Sequence, residues 1–210
     1  MKVFQRGSLS RECEAFRRDP HQKTFTDPDY RANPVNRCYF CKSNLYATLR
    51  RLGGNVASGT NLDDLDDFHP GLEAARDQAV RHPFVEARMR KSDVRALARR
   101  LGFGEIADLP ASPCLASRVR TGIRIESENL RLIDRVEAAL RAHLGNVALQ
   151  CRQEPEGFAI ELEESVLAHL SMAEREALSA RVVRVIAQAG FTEPRVPLRP
   201  YRMGSAFLHA

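Results

Sequence analysis

The stretch Ser127–Leu162, SENLRLIDRVEAALRAHLGNVALQCRQEPEGFAIEL, switches from a helical to a strand-like hydrophobic period. In its first half Leu130, Ile133, Val136, Glu137 and Leu140 recur at the three-to-four-residue spacing that shares one helix face, and Ser127 is placed to cap that helix. NVALQC and GFAIELE then alternate with period two, as half-buried strands do, and QEPEG between them reads as a turn. A second helix over roughly 172–189 and a last strand near PRVPL complete an α-β-β-α-β order. That order predicts a small two-layer α+β domain over residues 121–210.

Upstream the pattern differs. Leu45, Leu49 and Leu52 recur at helical spacing over Lys42–Leu52, and Gly53-Gly54 stands where a helix ends. NVASG reads as a short strand, and Pro70 suits the first turn of a helix running to about Val80. A further helix has Ser92 as its cap, Val94, Leu97, Ala98 and Leu101 as its apolar stripe, and Gly102 as its stop. Short strands alternating with helices predict a parallel α/β sheet over 35–110, within a first domain spanning residues 1–120. Residues 1–33 show no sustained period, and TDPDYRANP gathers turn residues.

The 210 residues carry 43% hydrophobic side chains, enough for an ordinary core, and a net charge of +5 with pI near 9.2. The basic side chains are mostly arginine, which suits phosphate or carboxylate partners. Acidic residues are scattered among them, so the charge does not indicate a nucleic-acid binder. No run approaches the roughly 20 apolar residues of a membrane span, and the charged start MKVFQRGSLSRECEAF lacks the apolar stretch of a signal peptide. These features predict a soluble, cytoplasmic protein.

Five cysteines are too few for a disulfide scaffold. Cys38 and Cys41 form a C-x-x-C at a predicted helix start, where the dipole and free N–H groups favour thiolate. By spacing alone the pair is a redox couple, half of a zinc site, an edge of an iron–sulfur cluster or an incidental buried pair. Cys114 lies on the loop DLPASPCLASRVRTG beside Ser117, Arg118 and Arg120, cations that suit an anionic partner. Three cysteine ligands would leave one metal position open for an exogenous ligand. Cys13 and Cys151 read as structural, the latter as core on an alternating strand.

NPVNRCYFCKSNLY, GTNLDDLDDFHPGLEAA, KSDVRALARRLG and PASPCLASR occur in this order. Together, over roughly residues 24–140, they resemble the LarE family of ATP-dependent sulfur transferases in the PP-loop pyrophosphatase superfamily, which serve synthesis of the nickel-pincer (lactate racemase) cofactor. The resemblance implies an incomplete PP-loop domain, Rossmann-like and adenine nucleotide alpha-hydrolase-like, followed by the α+β domain. It implies that ATP with Mg²⁺ adenylates a carboxylate of a pyridinium dicarboxylate mononucleotide and that a sulfur nucleophile displaces the adenylate. Members with one cysteine at the position of Cys114 sacrifice its sulfur, whereas members that add the C-x-x-C pair hold a [4Fe–4S] cluster. Cys38, Cys41 and Cys114 match the second set. Gly59, Thr60, Asn61, Asp63 and Asp64 match the loop beside the nucleotide; Ser117, Arg118, Glu137 and Arg202 match positions facing the substrate. A solvated acidic loop and a plain surface glutamate are the corresponding non-functional alternatives.

The chain departs from that family in three places. No SGGxDS phosphate loop occurs, which implies an amino-terminally shortened member or a separate chain that carries the ATP site. Ala148 and Gln150 stand where the family has an arginine pair, and Pro197 where it has an acidic residue. YRMGS, with Tyr201, Arg202, Gly204 and Ser205, resembles the family's YRxGS but runs into AFLHA. A non-catalytic iron–sulfur or zinc subunit that leans on a partner chain, and a tRNA-thiolation protein of the same superfamily, are the rival expectations. Apolar surface left by missing strands would favour self-association or a second chain.

Overall fold

The computed structural model describes residues 24–66, 68–109, 113–145, 147–191 and 196–202. Cys13, Gly204 and Ser205 lie outside the described residues. The chain divides into two compact units: residues 1–30 with 36–113, and residues 31–35 with 114–210. The boundary expected at residue 120 lies inside the second. No described helix is long and apolar enough to cross a membrane.

The first unit is built on helices α1 (Arg37–Arg50), α2 (Pro70–Asp77) and α3 (Lys91–Arg100). Helix α1 starts ahead of the predicted Lys42, so Cys38 and Cys41 both lie inside its first turns. Tyr46, Ala75 and Val80 form a small core where α1 meets α2, with Leu45, Leu49 and Val56 packed against it. The two helices approach closely at Gly71, where an added Cβ would come 3.0 Å from Lys42 Cγ. Leu52, expected on the buried stripe, is exposed beyond the end of the helix, and Gly53 turns the chain at φ 78°.

The parallel sheet expected over 35–110 is reduced, among the described residues, to one parallel bridge between Ala57 and Arg81. Arg81 N donates to Val56 O and Ser58 N to Arg81 O, each at 2.9 Å. The ladder stops because Pro83, which has no N–H, opens a helical turn two residues later. In α3 the cap also differs from expectation: Asp93, not Ser92, accepts the Arg90 N–H at 2.8 Å. None of its predicted stripe is fully buried, and Leu97 and Leu101 are exposed.

The second unit follows the predicted order: α4 (Ser127–Leu144), β1 (Leu149–Glu154), β2 (Gly157–Leu162), α5 (Met172–Ala187) and β3 (Leu198–Pro200), with a short helix Glu164–His169 before α5. Strand β1 pairs antiparallel with β2, and β2 parallel with β3, in the order β1-β2-β3. Pro155 and Glu156 make the hairpin turn, and Gly157 after it adopts φ 130°. Helix α4 buries the whole predicted face, Leu130, Ile133, Val136, Glu137 and Leu140, and packs on β1 and α5. Ser127 lies within the helix and Glu126 occupies the cap position. Helix α5 carries a capping box, in which Ser171 Oγ accepts Glu174 N at 3.3 Å and Glu174 Oε2 accepts Ser171 N at 2.8 Å. Alternation sends Cys151, Phe158, Ile160 and Leu162 to one face of the sheet and Gln150, Arg152 and Glu161 to the other, yet all of these are buried.

Residues 31–35 belong to this second unit through Asn33. Its Nδ2 donates to Arg120 O at 2.8 Å, Ile123 O at 2.9 Å and Val119 O at 3.3 Å. Its own carbonyl accepts Gly122 N at 2.9 Å, and Ile125 N donates to Arg31 O at the same distance. The residue is fully buried in a left-handed conformation, φ 54°, that asparagine tolerates better than most side chains. Replacing Asn33 by Ala leaves these carbonyls short of a donor and keeps the backbone strain, so urea unfolding should show a loss of about 2–4 kcal/mol.

Candidate functional site

Cys114 has an exposed thiol and stands immediately before a 3-10 turn, Leu115–Arg118. Its carbonyl accepts three donors: Ser117 Oγ at 2.7 Å, Ser117 N at 2.9 Å and Arg118 Nη1 at 3.1 Å. Arg118 is only 5% exposed and lies fork-on to Glu137, Nε to Oε1 at 2.9 Å and Nη2 to Oε2 at 3.1 Å. Glu137, 1% exposed, also accepts Arg141 Nη2 at 2.8 Å and the Cys151 amide of β1 at 3.1 Å. A carboxylate buried this deeply is tolerable because four N–H groups replace its hydration.

A second buried arginine holds the other end of the same turn. Arg152, 3% exposed on the polar face of β1, donates Nη1 to Ser117 O at 2.7 Å and Nη2 to Arg202 O at 3.4 Å. Its Nε donates to Glu161 Oε2 at 2.8 Å, and Arg199 reaches Glu161 Oε1 at 3.1 Å and Glu154 Oε1 at 2.6 Å. Gln150 lies opposite Glu161 in register, buried, with its Oε1 lacking a hydrogen-bond partner. Arg152 and Glu161 were invisible as site residues because alternation assigned them to a solvent face. The polar face of this strand pair is buried instead.

These distances place Ser117, Arg118 and Glu137 in one cluster around the Cys114 carbonyl, with Arg202 reached through its backbone. Ser117 and Arg118 are buried and bonded to protein groups, and Arg202 is exposed. Cys151, on the adjacent strand, is buried, and desolvation first and the Glu137 charge second push its thiol up beyond the range in which it ionises.

In the first unit Cys38 and Cys41 are partly buried thiols spaced by one turn of α1, a spacing that puts both on one helix face. Burial raises the Tyr46 phenol, which is hydrogen-bonded to Ser58, and the nearby Cys41 adds to the shift. Ser58 Oγ in turn lies 2.8 Å from Thr60 Oγ1 and 2.7 Å from His82 Nδ1. The loop from Gly59 to Asp64 is an ordered capping box in which Asn61 Oδ1 accepts Asp63 N at 3.0 Å and Asp64 Oδ2 accepts Asn61 N at 3.0 Å. Asp63 is bound by the Lys91 amide and by Arg90 Nη1, both at 2.8 Å. Its carboxylate therefore ties the loop to the start of α3. Among the described residues, no three His, Cys, Asp or Glu side chains are grouped as a metal site.

An uncharacterized protein of Synechocystis sp. is 37% identical over 85% of this chain and 66% of its own length. A second uncharacterized protein, from Methanocaldococcus jannaschii, is 27% identical over 81% of this chain and 66% of its own. The chain is similar to the pyridinium-3,5-bisthiocarboxylic acid mononucleotide synthase of Lactiplantibacillus plantarum, 28% identical over 85% of this chain and 64% of the synthase. It thus spans just under two thirds of the length of each of these relatives. No family model matches the chain.

The cluster makes two predictions. Glu137→Ala strands Arg118 in the interior and should cost about 3–5 kcal/mol in urea unfolding, whereas Arg141→Ala, removing a half-exposed partner, should cost under about 1 kcal/mol. The Lys91 amide, with Arg90 beside it, holds the Asp63 carboxyl below its ordinary value of 3.8. Its tether is fully present above that value and is lost as pH falls through the lower folded one. Carboxyl NMR should show Asp63 titrating below 3.8, and Arg90→Ala should move its midpoint upward.

Proposed function

We propose that this chain takes part in sulfur transfer to the adenylated carboxylate of a pyridinium dicarboxylate mononucleotide, a LarE-like reaction centred on Cys114. The observation that carries the proposal is an exposed thiol on a turn whose carbonyls are held by two buried guanidiniums, in a chain similar to a synthase named for a bisthiocarboxylic acid mononucleotide. The sulfur attacks the acyl carbon, the acyl C–O bond breaks with its electron pair leaving on AMP, and the thiol proton passes to solvent. Breaking the Cys114 Cβ–Sγ bond, with loss of the Cα proton, then releases the thiocarboxylate and leaves dehydroalanine.

The same three thiols suit a [4Fe–4S] cluster by the chemistry of their donor set: Cys38 and Cys41 one helical turn apart, Cys114 exposed, and none of them in a disulfide. Bound there, the cluster would supply the transferable sulfur as sulfide and spare Cys114. The Cys38 and Cys41 thiols and the Cys114 thiol would hold it as thiolates. No glycine-rich phosphate cradle occurs in the sequence, so formation of the adenylate is not assigned to these residues and the acyl adenylate is treated as substrate.

Anaerobic purification with iron, acid-labile sulfide and zinc determined together tests the assignment on Cys38→Ala, Cys41→Ala and Cys114→Ala. About four iron per chain, lost in each variant, is the outcome expected for the cluster. Metal-free protein whose Cys114 becomes dehydroalanine on incubation with an acyl adenylate would instead establish the sacrificial route. Stoichiometric zinc, with Cys114 intact after that incubation, would overturn the proposal.

A further inference from the structure

We propose that Arg152 and Glu161 are positioning residues for Cys114: Arg152 fixes the far end of the turn that presents the thiol, and Glu161 fixes Arg152. The inference rests on the reading of Cys114 as the reacting or cluster-holding cysteine and adds to it residues on another element. The turn Cys114–Arg118 is held at two carbonyls by two different arginines. Arg118 donates to Cys114 O at 3.1 Å, and Arg152 to Ser117 O at 2.7 Å. The two bonds hold carbonyls three residues apart, at the two ends of the turn, so together they fix it at two points, whereas either one alone fixes it at one.

Each arginine is anchored by a carboxylate on regular structure, Arg118 by Glu137 of α4 and Arg152 by Glu161 of β2. The exposures within the second pair, 4% and 2%, are those of core residues. What a buried guanidinium can do there is donate, and its two Nη groups do so to main-chain carbonyls of Ser117 and Arg202. The planar fork matters. A lysine at this position can reach one acceptor at a time, whereas Arg152 bonds Glu161 and two carbonyls together. Arg199 shares Glu161 from the other side and touches no atom of the turn among the described residues, which makes it the internal control.

The experiment supplies a pyridine carboxylate as its preformed acyl adenylate to the full chain and follows thiocarboxylate formation in a single turnover. It compares Arg152→Lys, the charge-neutral double variant Arg152→Gln with Glu161→Gln, Arg199→Gln and Cys114→Ala. Hydrogen exchange at the Ser117 and Val119 amides, and the unfolding midpoint, are measured on each. The double variant removes both charges at once and so avoids stranding either in the interior. It should keep its fold and its half-saturating substrate concentration within about threefold, while the rate constant falls by about 100-fold and the two amides lose protection. Arg152→Lys should recover part of the rate, and Arg199→Gln, which leaves the bond from Arg152 to Glu161 in place, should lower it by no more than about threefold.

A folded double variant that transfers sulfur at the parental rate, or that keeps both amides protected, overturns the positioning role. Retention of full transfer by Cys114→Ala overturns the functional reading instead. In that event the amide protection still decides whether Arg152 fixes the turn.

Discussion

The Glu137 carboxylate is the interaction on which the second unit turns. It accepts from a guanidinium on the Cys114 turn, a guanidinium one turn along its own helix, and an amide on the edge of β1. Three successive pieces of chain, the Cys114 turn, α4 and β1, thus meet at one buried charge. An anion taken out of water tolerates no missing partner, so the geometry of α4, β1 and the Cys114 turn is set jointly. A hydrophobic residue at the same position would pack adequately and specify less.

The same carboxylate closes an edge. Strand β1 is one of the two outer strands of the sheet, and its outward groups would otherwise seek another chain. Glu137 takes the Cys151 amide, while Val119 pairs with Gln153 and Arg120 N donates to Gln153 O at 3.0 Å. The segment that follows the Cys114 turn therefore covers the sheet edge, so holding Cys114 in place and protecting the strand are one arrangement. Arg152 and Glu161 extend it across the polar face of the hairpin, and the two ion pairs flank Ser117 and Arg118 from different elements.

Periodicity made much of this second unit legible. The Leu130-to-Leu140 face of α4, the β1–β2 hairpin and the order of elements are all patterns in which local spacing and global packing agree. Boundaries were less legible where a competing donor decided the cap, as Asp93 did over Ser92. The first unit was harder because a parallel ladder needs several partners before alternation means anything, and NVASG has only Arg81 across from it before a proline intervenes. For the candidate site, the cysteine spacings and the motifs around Cys114 singled out the loop whose carbonyls Arg118 and Arg152 hold, and Glu137 stood on the helix face that is buried. Arg152 and Glu161 were hidden because charged residues on an alternating strand look solvated unless one knows what covers them.

Asn33 carries a consequence for how the chain is made. Its side chain bonds carbonyls 86, 87 and 90 residues ahead, so these contacts cannot form until the whole intervening stretch of the first unit, residues 36–113, has been synthesised. Closing a loop of that length is entropically slow compared with pairing β1 and β2 across two residues. During translation the segment 31–35 leaves the ribosome well before residues 119–125. Its docking onto residues 119–125 therefore follows their synthesis and joins two stretches of one unit that the chain itself keeps far apart.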